Sequence, residues 1–218
     1  MSEVKCEIVK SGSKGNAVVL NDTVLIDCGV SFKAIAPYIK PLKIVLLTHV
    51  HGDHFNATTI KRLAQERPTL RFACGNWLVN NLLEAGVNPR NIDIMESTAA
   101  YQYQHYTIEP FSVLHDVPNM GYKVRFYEDG GRVFYATDAG NLIGITAKNY
   151  DLYLVEGNYD EDEIVDRIRE KENEGQFVHE YRALKYHLSK SQCVEFFMQN
   201  AGPDSMFIYM HQHEEGRE

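Results

Sequence analysis

Short apolar runs separated by turn-prone clusters fill the first half of the chain. Partial alternation over Val4 to Val9 predicts a strand. Ala17 to Leu20 and Thr23 to Ile26 flank Asn21-Asp22, a dipeptide suited to a two-residue hairpin turn. A short helix is expected over Phe32 to Tyr38. Ile44, Val45, Leu46 and Leu47 form an unbroken branched run, the mark of a strand covered on both faces. Ala57 to Arg67 follows as a helix with Ile60, Leu63 and Ala64 on one side, stopped by Pro68. Leu70 to Ala73 predicts a strand, Trp77 to Ala85 a helix closed by Gly86, and Ile92 to Met95 a further short strand.

The second half repeats the pattern. Strands are expected to Val113 from Thr107, over Tyr122 to Tyr127, and over Val133 to Ala136 after a Gly130-Gly131 turn. Leu152 to Val155 is another. Asp160 can cap a helix running to Glu172, with Ile164, Val165 and Ile168 as its buried stripe. Residues 170 to 180 read as a polar surface loop. Ser189 with Gln192 makes a capping box for a last helix to about Asn200, with Val194, Phe197 and Met198 inward. Met206 to Met210 is the final strand. Helices and strands thus alternate without an internal linker, which predicts one α/β domain over residues 1–218. Periodicity does not choose between one helix-flanked sheet and a pair of sheets. There is no dinucleotide-binding glycine fingerprint and no phosphate-binding GK[ST] loop.

The 218 residues are 44% hydrophobic and 24% charged, ordinary values for a globular chain. No stretch is long and apolar enough to span a bilayer, and MSEVKCEIVK carries charges where a signal peptide would need an apolar run, so secretion is not expected. The expectation is a cytoplasmic protein without membrane contact. Cys6, Cys28, Cys74 and Cys193 form no CxxC pair and are expected as buried thiols. A net charge of −8 argues against a broad basic surface for nucleic acid. It does not exclude a nuclease, because bound divalent ions add local positive charge that the formal count omits.

Chemistry concentrates in LLTHVHGDH, Leu46 to His54, where three histidines and an aspartate fall within six positions after a buried strand. Imidazoles and carboxylates are the ligands zinc prefers. His49 and His51 can face one site if the backbone stays extended, and a turn at Gly52 would let Asp53 and His54 face a second. Three further strands end in a possible ligand: the first before His115, the next before Asp138, and the last before His211.

This constellation resembles the metallo-β-lactamase superfamily. The resemblance implies a four-layer αββα sandwich with two divalent ions, Zn2+ or Mn2+, at one edge of its sheets. His49, His51 and His115 would hold the first ion, Asp53, His54 and His211 the second, with Asp138 bridging. SGSKGN (Ser11 to Asn16), LIDCG (Leu25 to Gly29), HDVPNMGY (His115 to Tyr122), EGN (Glu156 to Asn158) and HLS (His187 to Ser189) further resemble the single-domain YycJ/WalJ-type subgroup, whose characterised members are DNA exonucleases. By that resemblance His187 and Ser189 would grip a substrate phosphate. Asn16 would reach the site or brace its turn, Asp27 would be a structural carboxylate beside the metal loop, and Glu156 would support a ligand from behind. The chain departs from the subgroup in reading His211-Gln212-His213 where His-Leu-Ser is usual, which makes His213 a rival last ligand. It also has Tyr159 where a histidine is often found, and is somewhat shorter.

The activity implied is a phosphodiesterase, a DNA exonuclease using a metal-bridging hydroxide that Asp53 orients. His187 would steady a phosphate oxygen or protonate the leaving group. The alternative is hydrolysis of a small ester, thioester, lactone or cyclic nucleotide, since the fold does not fix the substrate. DNA is the expected partner, no protein partner is required, and the oligomeric state stays open.

Overall fold

In the computed structural model, which describes residues 4–128 and 130–211, the strands form two six-stranded mixed sheets. The first contains β1 (Cys6–Lys10), β2 (Ala17–Leu20), β3 (Val24–Ile26), β4 (Ile44–Leu47), β5 (Arg71–Cys74) and β6 (Ile92–Ile94) in chain order. Its first two pairings are antiparallel and the rest parallel. The second runs β7 (Tyr101–Gln102), β8 (Tyr106–Val113), β9 (Asn119–Phe126), β10 (Arg132–Ala136), β11 (Leu152–Glu156) and β12 (Met206–Met210), antiparallel up to β10 and parallel beyond.

Side-chain alternation explains how these strands stack into layers. Ile44 and Leu46 join Val18, Ile26, Tyr122, Tyr135 and Leu154 between the two sheets. Val45 and Leu47 point the other way, onto α1 (Phe32–Ile35), α2 (Ala57–Glu66) and α3 (Val79–Glu84), where Ile60, Leu63 and Leu82 meet them. β4 is therefore covered on both faces, which is why its run carries no polar residue. On the outer face of the second sheet, Phe134, Tyr153 and Val155 pack against Cys193 and Phe196 of α6 (Lys190–Asn200). The result is helix, sheet, sheet, helix, the expected αββα sandwich. Between β11 and α6, α4 (Glu161–Asn173) and α5 (Glu180–Tyr186) share a small separate cluster of Tyr159, Ile164, Ile168, Val178 and Ala183. Among the described residues no helix is long and apolar enough to cross a membrane.

Several local expectations need correction. The first hairpin has a three-residue connection, since Leu20 pairs with Val24, and Asn21 and Asp22 take φ of 44° and 57°. The expected loop over 170 to 180 is the end of α4 and the approach to α5, a helix held by tertiary contacts rather than by an apolar stripe of its own. Val165 is exposed, because Ile164 and Ile168 alone define the inner line of α4. The inner face of α6 is Cys193, Phe196 and Asn200, while Val194 and Met198 face solvent. Asn200 can occupy that core position because its side chain accepts from Ala147 N and donates to Phe196 O, both at 2.9 Å. Cys28, Cys74 and Cys193 are buried thiols and Cys6 is half-buried, all unpaired.

Candidate metal centre

Each sheet delivers its chemistry at the same edge. β4 ends in Thr48-His49, and the next residues turn back, with His54 N and Phe55 N both donating to His51 O. That turn is fastened to the loops after β1 and β3. Asn16 N donates to Asp53 O at 2.6 Å, Cys28 N to His54 O at 2.9 Å, and Asn56 N to Cys28 O at 2.9 Å. Gly29 permits this approach, because a Cβ there would lie 1.7 Å from Asp53 O. The buried Asn16 side chain also donates to Asp53 O and sits 2.8 Å from His54 Nε2.

On the opposite sheet, β8 leads to His115, β10 to Asp138, β11 ends in Glu156, and β12 leads to His211. Asp27, Asp138 and His211 adopt left-handed backbone, with φ of 59°, 53° and 47°. Each directly follows a strand or lies within two residues of its end, so the chain turns sharply where the side chain must face the edge. Such conformations cost roughly 1–3 kcal/mol each and concentrate where geometry matters for function.

The side chains converge as two adjoining groups. In the first, His49 Nε2 is 3.1 Å and His115 Nε2 is 3.4 Å from His51 Nδ1. In the second, Asp53 Oδ2 lies 3.6 Å from His54 Nε2 and 3.4 Å from His211 Nε2. Asp138 stands between them, with Oδ1 3.9 Å from His115 Nε2 and 3.6 Å from His211 Nε2, and Oδ2 2.9 Å from His54 Nε2. Within each of the triads His49, His51, His115 and Asp53, His54, His211, the donor atoms lie within 4.8 Å of one another.

This donor set fits two divalent ions. Buried Asp138 Oδ2, although close to His54 Nε2, has no aligned hydrogen-bond partner, which in a protein interior calls for a cation. Burial holds His49 down at about 2, so its imidazole is neutral and its lone pair available. Burial would lower His54 too, yet the carboxylates of Asp138 and Asp27 raise it to about 10. His211 is likewise driven well above its ordinary value, chiefly by Asp138 against the effect of burial. Positive charge is favoured at this spot.

The surrounding residues orient the donors. Asp27 is fully buried; its Oδ1 accepts from Thr48 N and Thr48 Oγ1, and its Oδ2 pairs with His54 Nδ1 at 2.7 Å and accepts from Tyr135 OH at 3.1 Å. Glu156 accepts from Ala139 N and contacts both His187 Nδ1 (2.5 Å) and His211 Nδ1 (3.3 Å). His187 stacks on His211 with ring centroids 5.5 Å apart. Burial opposes its protonation, but the Glu156 carboxylate wins and raises it above the ordinary histidine value.

Ser189 does not join this cluster. It is fully buried, its Oγ accepts from Gln192 N in the capping box, and it donates to Glu161 Oε1 at 2.6 Å. The helix start read as a phosphate grip is already capped by the protein itself. Tyr159 is buried against Ile164, and His213 lies outside the described residues. Sequence reasoning missed Asp116, whose Oδ1 approaches His115 Nε2 (3.1 Å) and His51 Nε2 (3.5 Å) while Oδ2 takes Arg182. It also missed Thr48, Tyr135, Ser11 (accepting from His211 N) and Asn158 (donating to His211 O). Asp116 and Thr48 adjoin ligand positions in sequence, and Ser11 and Asn158 lie within motifs already quoted, usable signals all; Tyr135 is brought in by packing alone.

Fold and donor set together define a hydrolase of the metallo-β-lactamase fold, and the chain belongs to the beta-lactamase superfamily, whose domain matches residues 22–211. Among solved structures it is similar to the metallo-beta-lactamase fold protein YhfI from Bacillus subtilis, at 15% identity and a TM-score of 0.74, over 98% of this chain and 88% of that one. It is also similar to human tRNase Z, short form, at 14% identity and 0.68, over 95% and 92% respectively. A long form RNase Z from yeast aligns at 12% identity and 0.66 over 98% of this chain but 37% of its own. No curated protein matches the sequence.

Proposed function

We propose that this chain is a two-metal phosphodiesterase acting on nucleic acid, and specifically a DNA exonuclease. The observation that carries the reading is the Glu156–His187 pair beside two donor triads that share Asp138. His49, His51 and His115 would hold one ion, Asp53, His54 and His211 the other, with Asp138 between them. Zn2+ or Mn2+ fits this nitrogen and oxygen set. When bound, the ions would make a water nucleophilic near neutral pH and offset the charge gathering on phosphate oxygens.

The chain's own groups supply the rest. Burial raises the Asp53 carboxyl, but hydrogen bonding to His211 and the nearby His54 outweigh it, so Asp53 stays ionised. Its carboxylate can orient the attacking water. His187, whose hold on a proton Glu156 strengthens, is placed to give that proton to the leaving oxygen, the usual task of a positioned general acid. The two RNase Z neighbours are ribonucleases by name, which supports a nucleic-acid substrate. The subgroup motifs SGSKGN and HLS favour DNA.

The experiment is cleavage of end-labelled single- and double-stranded DNA, with matched RNA and a cyclic nucleotide alongside. Protein loaded with manganese or zinc is compared with Asp53→Ala. Stepwise shortening of DNA that disappears in the variant is expected. Protein carrying two ions that leaves every polynucleotide intact, yet turns over the cyclic nucleotide or a small ester, would overturn the nuclease reading.

A further inference from the structure

A groove of about 450 Å³ runs between α6 and the turn that follows Asp138, and it is open to solvent along its outer side. Its volume lies in the range of pockets for small organic groups. It adjoins the candidate metal centre through the chain itself. Leu188, on its floor, directly follows His187, and Asn141, on its rim, comes three residues after Asp138. A group seated there can belong to a substrate whose reacting part sits at the metals.

Both walls are fixed. On one, Ile145 N donates to Leu142 O at 3.1 Å, Gly144 takes φ of 79°, and Asn141 Oδ1 accepts from Ile143 N at 3.2 Å. This is a turn with glycine where a positive φ is required. Leu142 is anchored in the core, which leaves Ile143 on the lip, 86% exposed. On the other wall, Gln192, Glu195, Phe196 and Gln199 form one stripe of α6. The lining chemistry says what the groove takes. No lysine, arginine or histidine is among its described lining residues, and Glu195 adds negative charge, so it is not made for a phosphate. Buried Leu142, Leu188 and Phe196 give it apolar surface between polar edges. Gln192 Oε1 accepts from Ser189 N and Asn141 Oδ1 from Ile143 N, so each of these side chains offers its NH2 as a donor. Gln199 Nε2 donates to Glu195 Oε1 at 3.1 Å, so Gln199 Oε1 and Glu195 Oε2 remain as acceptors. Apolar faces with donors and acceptors side by side at the edge suit a flat, uncharged heterocycle.

We infer that this groove is a nucleobase subsite: it takes the base of a nucleotide beside the scissile phosphodiester, with Ile143 against the face of the base and the amides and Glu195 along its edge. This rests on the nuclease reading and deepens it. Adenine and cytosine each present an amino donor beside a ring-nitrogen acceptor, which matches Glu195 next to the amide donors, whereas thymine has no amino group. The groove thus gives cleavage a base preference that the metals alone do not supply.

The test measures kcat/KM of metal-loaded protein on strands that carry adenine, cytosine, thymine or no base at the nucleotides flanking the cleaved bond. Adenine and cytosine are expected at least about fivefold above the abasic strand, the lower end of what one matched base contact discriminates, with thymine below both. Glu195→Ala, at an exposed helix position, should bring thymine level with adenine and cytosine. Ile143→Ser should lower every base towards the abasic rate, and the abasic rate itself should stay the same in both variants. Equal rates with and without a base in the wild type, or a base preference that survives both substitutions, would overturn the subsite. If the wild type cleaves no strand, the nuclease reading fails separately, and an NMR titration with adenosine decides the groove. Shifts of the Asn141 and Gln199 side-chain amide signals support it, and their absence at saturating adenosine overturns it.

Discussion

Asp27→Asn isolates what holds His54 in place. Asp27 uses both oxygens as acceptors: Oδ1 for Thr48 N (3.0 Å) and Thr48 Oγ1 (2.9 Å), Oδ2 for His54 Nδ1 (2.7 Å) and Tyr135 OH (3.1 Å). When His54 binds an ion through Nε2, Nδ1 carries the proton and needs an acceptor. Asparagine has the same shape and, unlike alanine, tolerates the left-handed backbone that Asp27 adopts at φ 59°. It has only one acceptor oxygen. Whichever way the amide is turned, an NH2 group faces either the Thr48 amide or the His54 N–H.

A buried donor left unpaired costs about 1–3 kcal/mol. Loss of one acceptor serving two donors should therefore remove roughly 2–6 kcal/mol, a large fraction of an ordinary domain's stability. Removing a carboxylate that orients a metal-bound histidine typically costs about 10–100-fold in metal affinity. The assay has two arms: urea unfolding of chelator-stripped protein, and metal titration against a chromophoric chelator. The expected result is a lower midpoint with unchanged slope, and one of two ions bound at least tenfold more weakly. Unfolding within 0.5 kcal/mol of wild type, on the order of a neutral surface substitution, together with unchanged binding of both ions, would refute the reasoning.

Three further substitutions probe other parts of the site. Gly29→Ala would place a Cβ 1.7 Å from Asp53 O and 2.6 Å from His54 N. The metal loop must then move, so ion content by elemental analysis should fall below two per chain; full loading would contradict the assigned close packing. His187→Asn should lower kcat about 10²–10⁴-fold, the usual contribution of a general acid, with both ions retained. A kcat within threefold of wild type would remove His187 from proton transfer. Ser189→Ala should cost roughly 0.5–2 kcal/mol, the value of a helix cap, and leave KM within twofold. A KM raised tenfold would restore the phosphate-grip reading that the buried Oγ argues against.

The metal edge was legible because the same feature marks both strand and site. The apolar runs Ile44 to Leu47, covered on both faces, and Met206 to Met210, a half-buried edge strand, locate strand ends, and a histidine or aspartate just past such an end has one place to go. His49, His115, Asp138 and His211 were found that way, and they do converge. Where one signal serves two purposes, the sequence alone does not choose between them. Ser189 followed by Gln192 is a capping box and also part of a phosphate-binding string, and only the fold shows that Glu161 already accepts the hydrogen bond of its hydroxyl. α5 escaped notice because Tyr181 and Leu184 face solvent, while the small Ala183 packs inward with Val178 and Tyr186 turns to His115. Its Arg182 then ties Asp116 beside the first triad across 66 positions, a pairing that no local pattern encodes.

The charge around the centre gives its own argument for two ions rather than one. Asp27, Asp53, Asp138 and Glu156 bring four carboxylates to the imidazoles, and three of them are less than 5% exposed. Asp116 adds another but is matched by Arg182. Uncompensated carboxylates in such a setting cost several kcal/mol each after relaxation. Without metal, relief must come from protons on histidine, and that is where the largest upward pulls fall, on His54 and His211. His49, facing no carboxylate as closely, stays neutral against the same burial. Two divalent ions would balance the four carboxylates and free every imidazole to bind through a lone pair. A single ion would leave half of that negative charge to histidine protons, and a protonated His54 or His211 is no longer a ligand. On the proposed two-metal reading, the second triad would become a good metal site only when both positions fill, so loading should be cooperative, with proton release accompanying the ions.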